Sequence, residues 1–84
     1  MKGFLVELYQ PAPDPRAAAA DAARAREAAQ QLTREGTPVR YVRFLLIPED
    51  ETCFHLFEGV SAEAVGQASR RAALDYERVV EAVQ

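Results

Sequence analysis

The only cysteine and the only histidine of this chain stand two residues apart, as Cys53 and His55 in the stretch ETCFHLFEG. Such a pair can ligate a metal, can act as a thiolate nucleophile with its base, or can leave the histidine as a general acid–base catalyst. A metal site needs three or four ligands, and a nucleophile needs its base within hydrogen-bond reach. On a strand, side chains at positions i and i+2 share a face but start roughly 6.5–7 Å apart. The spacing therefore favours a histidine that works with a residue other than Cys53.

General acid–base chemistry at His55 needs a partner, and Glu7 in the first predicted strand is the candidate. Histidine titrates near neutral pH, and a partly buried carboxylate can tune its pKa. Arg43 suits recognition of an anion if a pocket exists, and otherwise suits an ion pair with a glutamate. The alternative interpretation is a polar network that fixes a dimer register, with Cys53 packed as a hydrophobic residue. The predicted ligand-binding set is Glu7, Tyr9, Tyr41, Arg43, His55, Phe57 and Glu81.

Four strands and two helices are predicted to position these residues. In chain order they are a strand at 3–9, a helix at 16–35, strands at 38–47 and 52–59, a helix at 62–73 and a strand at 76–83. Asp14 and Ser61 are the expected N-caps, and Gly36 is expected to end the first helix. The order is the ferredoxin-like βαββαβ plan, an α+β fold. It predicts one domain over residues 1–84, with a four-stranded antiparallel sheet in the order 4-1-3-2 and both helices on one face.

Alternation along each strand sorts the side chains into two faces. The face predicted to lie under the helices holds Phe4, Val6, Leu8, Val42, Phe44, Leu46, Phe54 and Leu56. The last strand is ambiguous, and the preferred assignment adds Val80 and Ala82 to this face. The opposite face is predicted to hold Leu5, Glu7, Tyr9, Tyr41, Arg43, Leu45, Cys53, His55, Phe57, Val79, Glu81 and Val83. An apolar face of this kind on a small protein needs a partner, so we expect a homodimeric α+β barrel. The ionisable side chains expected between the two sheets are Glu7, Arg43, His55 and Glu81.

Composition excludes several functional classes. The chain has 84 residues, a net charge of −3 and a pI near 5.1, which argues against a nucleic-acid binder because such proteins carry basic stripes. One cysteine excludes an internal disulfide framework, and no apolar run approaches the roughly 20 residues of a membrane span. The chain begins with a strand-like pattern and no signal-peptide pattern, so we expect a cytoplasmic location. Arginine outnumbers lysine and alanine is abundant, which suggests a bacterial source.

The segments FLVELY, VRYVRFLLIPEDETCFHLFEGVSAEAV and RRAALDYERVVEAV resemble a family of small bacterial ferredoxin-like proteins of unknown function, some of which are labelled nickel-binding proteins. The resemblance implies the fold, dimerisation and nickel as a possible cofactor. The family's early glutamate corresponds to Glu7. The family usually has histidine where Arg43 stands, and often has cysteine where His55 stands. Because a fixed positive charge replaces that histidine, we predict no cofactor and no tight nickel site.

Two functions from different classes fit these observations. The first is a non-enzymatic homodimeric module that uses the face without helices to bind a small molecule or to respond to a metal. The alternative is a small dimeric α+β barrel enzyme of the monooxygenase, isomerase or cyclase type, with His55 and Glu7 in acid–base chemistry. The space between the two sheets discriminates between binding and a purely structural dimer. In either case we expect His55 to matter and Cys53 not to.

Overall fold

The computed structural model of the protein describes residues 1–83 and contains the predicted elements in the predicted order. They are β1 (Lys2–Tyr9), α1 (Pro15–Arg34), β2 (Val39–Ile47), a 3-10 turn (Pro48–Asp50), β3 (Thr52–Gly59), α2 (Ala62–Arg71) and β4 (Arg78–Ala82). The strands form one antiparallel sheet in the order β2-β3-β1-β4, with both helices packed on one side. The ferredoxin-like plan and its strand order are confirmed. In the part of the chain described, no helix is both long and apolar enough to cross a membrane.

Local signals at both ends of α1 act as predicted. The Asp14 side chain accepts a hydrogen bond from the Arg16 backbone N–H, and Pro15 follows as the first helical residue. At the other end Gly36 takes a φ of +103°, a conformation that favours glycine. The Thr37 N–H then donates to the Leu32 carbonyl, which closes a Schellman motif and satisfies the helix end.

Helix α2 ends in the same motif without a glycine. It begins at Ser61, whose hydroxyl accepts from the Ala64 backbone N–H. After its C-cap the chain passes through Ala73 at a φ of +58°, and the Leu74 N–H donates to the Ser69 carbonyl. An alanine in this left-handed region costs free energy that a glycine would not. Leu74 is buried in the core, so its packing helps to hold the strained turn in place.

The helix side of the core is made of small side chains. The buried residues of α1 are Ala18, Ala22, Ala25, Ala28, Ala29 and Leu32. Alanine lets a helix lie close to the sheet, and it leaves the volume of the core to the strand residues. Phe57 and His55 are the bulky side chains with 0% exposure on β3, and they occupy that volume.

The register of β3 reverses the predicted assignment of its faces. The inward residues of β1 pair with β3 as Phe4 with Phe57, Val6 with His55, and Leu8 with Cys53. Residues that are directly opposite across two strands share a face. Phe54 and Leu56, which were predicted to lie under the helices, therefore lie on the side without helices. The prediction was wrong because both alternating sets of this strand are largely apolar, and the polar histidine was assigned to the wrong one.

A β-bulge at Val42 has the same effect on β2. Tyr41 pairs with Phe57, whereas the next pair is Arg43 with Leu56, so Val42 is an extra residue on β2. Before the bulge odd-numbered residues point inward, and after it even-numbered residues do. Tyr41 is consequently buried with 6% exposure, which corrects its predicted place on the outer face, while Arg43 is exposed as predicted.

Strand β4, whose faces the sequence leaves ambiguous, takes the reverse of the preferred assignment. Val79 pairs with Val6 and packs against the core, whereas Val80 pairs with Leu5 on the other side. Glu81 pairs with Phe4 and so also lies on the helix side, at the exposed edge of the sheet. We use the term open face for the outward side of the sheet. Its residues are Gly3, Leu5, Glu7, Tyr9, Arg40, Arg43, Leu45, Ile47, Thr52, Phe54, Leu56, Glu58, Arg78, Val80 and Ala82.

Candidate functional site

Three polar side chains meet beneath the helices in a buried hydrogen-bonded cluster. The Tyr41 hydroxyl lies 2.7 Å from Nδ1 of His55, and the Cys53 sulfur lies 3.6 Å from Nε2 of the same ring. His55 and Cys53 are fully buried. The expectation that strand spacing keeps Cys53 and His55 apart is wrong, because their side chains converge within the core. The structure also brings in Tyr41, which the sequence analysis placed elsewhere as an interface or ligand-binding aromatic.

Burial shifts the pKa values of all three groups toward their neutral forms. It lowers the pKa of the His55 imidazole, an effect that Asp21 opposes and Arg24 reinforces. It raises the pKa of the Cys53 thiol to about 11, and Asp21 adds to that shift. It also raises the pKa of the Tyr41 hydroxyl well above its usual range. The Tyr41–His55–Cys53 cluster is therefore uncharged near pH 7.

Either neutral tautomer of His55 satisfies the hydrogen bonding of the cluster. In one, the Tyr41 O–H donates to Nδ1 and the ring Nε2–H points at the Cys53 sulfur. In the other, Nδ1–H donates to the Tyr41 oxygen and the Cys53 S–H points at Nε2. Both arrangements leave His55 with a partner on each nitrogen, which a buried imidazole requires to avoid a desolvation cost.

This geometry does not suit catalysis by Cys53 or His55. A thiol with a pKa of about 11 is almost wholly protonated near pH 7, and only the thiolate is a good nucleophile. Both side chains are sealed from solvent by the helices. The cluster suits a different role, in which a satisfied polar network specifies how the strands and the alanine helix pack.

The cluster also does not fit the nickel ion that the family resemblance implies. Cys53 and His55 supply two donors, and His55 already has partners at both nitrogens. Over residues 1–83, no group of three or more histidine, cysteine, aspartate or glutamate side chains is placed to hold a metal ion. Of the two carboxylates on β1 and β4, Glu7 lies on the opposite side of the sheet from Cys53 and His55, and Glu81 is exposed on the edge strand β4.

Glu7 and His55 do not form the acid–base pair considered from the sequence. Glu7 lies on the open face opposite Phe54, whereas His55 lies on the helix side. The Glu7 carboxylate instead accepts a hydrogen bond from Arg78 Nε across to β4. The sheet itself separates the two side chains, so a proton cannot pass directly between them.

The other predicted ligand-binding residues divide between the two sides of the sheet. Tyr9 and Arg43 lie on the open face and are exposed, as predicted. Phe57 is buried beneath the helices and meets the Tyr41 ring edge-on at a centroid distance of 5.1 Å. Glu81 is exposed on the helix side and pairs with Lys2 at 3.7 Å. The predicted set is thus not one site, and its ligand-binding role remains a prediction.

The open face is largely apolar, with charged pairs toward its ends. Its large apolar residues are Leu5, Tyr9, Leu45, Ile47, Phe54, Leu56 and Val80. The Glu7–Arg78 pair lies across β1 and β4, and an Arg40–Glu58 pair lies across β2 and β3. Arg43 forms no ion pair with any residue of the described part of the chain. Within residues 1–83, a guanidinium without an ion-pair partner thus stands on a sheet face whose exposed large apolar side chains are Tyr9, Leu45 and Ile47.

The fold matches a solved structure. It is similar to the crystal structure of SCO4226 from Streptomyces coelicolor A3(2), with a TM-score of 0.68 over 95% of this chain and 94% of that one. The two sequences are 21% identical over the match, so the likeness supports the fold. No family model matches the chain, and no curated protein matches it significantly. The small ferredoxin-like domain expected from the sequence is therefore supported by a bacterial structural neighbour.

The Tyr41–His55 contact is the feature that sequence reasoning missed. The sequence of β2 contained one signal of a change in phase. If side chains alternated without a break from Val39, then Val39 and Tyr41 would lie on the side of the sheet opposite Phe44 and Leu46. All four residues are apolar or aromatic, so a switch of phase was a possible interpretation. Nothing in the sequence states at which residue the switch occurs.

Proposed function

We propose that this protein is a homodimeric, non-enzymatic binding module in which two open faces pack against each other and hold a small molecule between them. The observation that carries the proposal is the exposed apolar surface of the open face. In the single chain the exposed fraction is 46% for Leu45, 37% for Ile47 and 60% for Tyr9. These residues lie beside other apolar residues of the same face. Exposed apolar side chains grouped on one face of a sheet are typical of an interaction surface.

A second copy of the chain is the occupant that we propose for this surface. A four-stranded sheet presents a broad surface with few projections, and another such sheet matches it in shape. A stable interface needs roughly 800 Å² from each partner, which is the scale of one face of a small domain. Within each chain Glu7 pairs with Arg78 and Arg40 pairs with Glu58, so each pair is neutral. Two copies can therefore approach without uncompensated charge at those positions.

Arg43 supports the binding part of the proposal. A guanidinium is costly to bury without a partner, and no carboxylate of the described chain pairs with it. In a dimer that covers the open face, a bound anion would satisfy this charge. A carboxylate or phosphate on an apolar body matches both the guanidinium and the surrounding side chains.

An enzymatic role finds less support. The acid–base chemistry considered for a dimeric barrel enzyme required His55 and Glu7 on one surface, and they lie on opposite sides of the sheet. His55 is fully buried in each chain. A metal-responsive role finds no three-donor cluster within residues 1–83. Binding of an organic anion is the function that the open face supports best.

Light scattering combined with size-exclusion chromatography tests the dimer. We expect wild type at high micromolar concentration to elute at twice the chain mass of 9.3 kDa. Leu45→Asp should be a folded monomer, because the side chain is exposed in one chain and becomes a buried charge in two. The matched control is Val60→Asp, at an apolar residue with 54% exposure outside the sheet, which should remain dimeric. A monomeric wild type would contradict the proposal.

Native mass spectrometry tests the bound molecule. We expect the dimer to carry additional mass that is reduced in Arg43→Gln, while Arg16→Gln on α1 retains it. If the mass of the wild-type dimer equals that of two chains, no molecule is retained. The protein would then be a purely structural dimer, and the proposal that it binds a small molecule would be overturned.

A further inference from the structure

A groove separates the second half of α1 from the beginning of β2. Its volume is about 590 Å³, which lies in the range of small-molecule sites. Its apolar lining comes from Met1, Ala29, Pro38, Val39 and the ring of Tyr41. We refer to it as the α1–β2 groove.

One edge of the groove carries a row of hydrogen-bond donors. Arg26, Gln30 and Arg34 are spaced four residues apart on α1, so they lie along one side of the helix, and all three line the groove. The Arg26 guanidinium carbon stands 5.2 Å from the centroid of the Tyr41 ring. A cation–π contact thus favours this position of the guanidinium beside the apolar floor.

The charge of this edge is only partly offset by neighbouring side chains, since Arg34 lowers the pKa of Glu35 but that carboxylate is already paired with Arg71. Within residues 1–83 neither Arg26 nor Arg34 forms an ion pair, and no carboxylate side chain lines the groove. The nearby C-terminus of α1 carries only about half a negative charge, which is smaller than two full positive charges. Arg40 also borders the groove, but its guanidinium donates to Glu58 and is already paired.

We propose that the α1–β2 groove is a second binding site, which takes a small carboxylate with an aliphatic body. The carboxylate lies between Arg26 and Arg34, with Gln30 as a further donor. The aliphatic part of the ligand covers Ala29, Val39 and the part of the Tyr41 ring that Arg26 leaves uncovered. The two parts of the groove explain the ligand class, because the cations select an anion and the apolar floor rejects a small hydrated one.

The site does not depend on the proposed dimer. Arg40 is the one groove residue that also belongs to the open face; the others lie on α1, on the inward side of β2 or beside its start, whereas the proposed dimer uses the outward side of the sheet. Monomeric Leu45→Asp should therefore bind the carboxylate as wild type does. Failure of the dimer and failure of this site can be observed separately.

Titration of ¹⁵N-labelled protein with sodium octanoate tests the proposal by NMR. We expect saturable chemical-shift changes at Ala29, Val39 and Tyr41. Octanol, which has the same body without charge, and acetate, which has the charge without the body, should bind at least about fivefold more weakly. Equal binding of octanol and octanoate would overturn the role of the arginines. Shift changes confined to the open face, or none at all, would overturn the site.

Charge variants on α1 provide the matched comparison. Arg26→Gln and Arg34→Gln should each weaken octanoate binding about fivefold, and Gln30→Glu should weaken it similarly by placing an anion in the row. Arg16→Gln removes the same charge at the exposed beginning of α1 and should bind as wild type does. All four positions are exposed, so the folds should persist. Equal binding by all four variants and wild type would contradict the proposal.

Discussion

The Tyr41 hydroxyl and Nδ1 of His55 stand 2.7 Å apart in the interior, although Tyr41 lies on an edge strand and His55 on its neighbour. The contact exists because the bulge at Val42 turns Tyr41 inward and because β3 presents His55 on the same side. The histidine is thus held neutral, with both nitrogens engaged. Its titration, its partner and its neighbouring thiol each give a measurable consequence.

We expect the free energy of unfolding to fall as the pH is lowered below about 6.5, the pKa of an unfolded histidine. The folded-state pKa of His55 is depressed by burial, so the unfolded state binds the proton first, and stability that is fully present above that pH is lost below it. The slope should approach about 1.4 kcal/mol per pH unit at most, since one proton is involved. Urea unfolding between pH 8 and 5.5 measures it. His55→Gln should flatten the dependence, and equal slopes in both proteins would contradict the assignment.

Tyr41→Phe should lower the free energy of unfolding by about 1–3 kcal/mol, because it strands a buried imidazole nitrogen while keeping the ring contacts. Tyr9→Phe makes the same chemical change at a residue with 60% exposure, and it should alter stability by less than about 0.5 kcal/mol. Chemical denaturation of the two variants compares them directly. Similar small losses would show that the hydroxyl contributes little.

Cys53 should be unreactive toward Ellman's reagent in the folded protein. Its thiol is fully buried and has a pKa of about 11, so little thiolate exists at pH 8. We expect labelling at least about 100-fold slower than in denaturant, since burial and protonation act together. Val60→Cys in a Cys53→Ser background places a thiol at an exposed position and should label quickly. Rapid labelling of native Cys53 would contradict its burial.

Ala73→Gly should stabilise the protein by about 0.5–1 kcal/mol, because Ala73 has a φ of +58° at the end of α2. The same substitution at Ala19, an exposed position inside α1, should destabilise by about the same amount. Thermal melts of both variants provide the measurement. A loss of stability at both positions would mean that the left-handed turn is not strained.

Calorimetry at pH 7.5 should detect no sub-micromolar site for nickel or zinc. Cys53 and His55 supply two buried donors, whereas a tight site needs three or four ligands. Arg43, which stands where the resembling family has a histidine, lies on the other side of the sheet and is not a ligand. A tight isotherm with one ion per chain, lost in His55→Ala, would refute this expectation.

The order of elements was predictable because it depends on local signals. Asp14, Ser61 and Gly36 mark helix ends in ways that their own side chains or backbone determine. The faces of β3 and β4 were not predictable from alternation, since alternation gives a period but not its phase. His55 was assigned outward because it is polar, yet Tyr41 and Cys53 supply its partners inside.

The candidate open face was therefore predicted correctly in character but only partly in composition. Leu5, Glu7, Tyr9, Arg43 and Leu45 lie on it as expected. Phe54 and Leu56 take the places that Cys53, His55 and Phe57 were given. An apolar strand can present either set without losing the hydrophobic character of the face, so the expectation of a partner survives the exchange of residues.

The bulge at Val42 has a consequence for comparing this chain with distant relatives. A relative without the extra residue keeps one phase along the whole strand, so an ungapped alignment would match inward positions with outward ones over half of β2. The residue placed opposite a relative's functional side chain then depends on where a single gap is set. Arg43 is exposed on one side of the sheet and Tyr41 is buried on the other. The position of the gap decides which of the two is aligned with a given residue of the relative. Alignments of this strand should be anchored on side-chain direction rather than on letter identity.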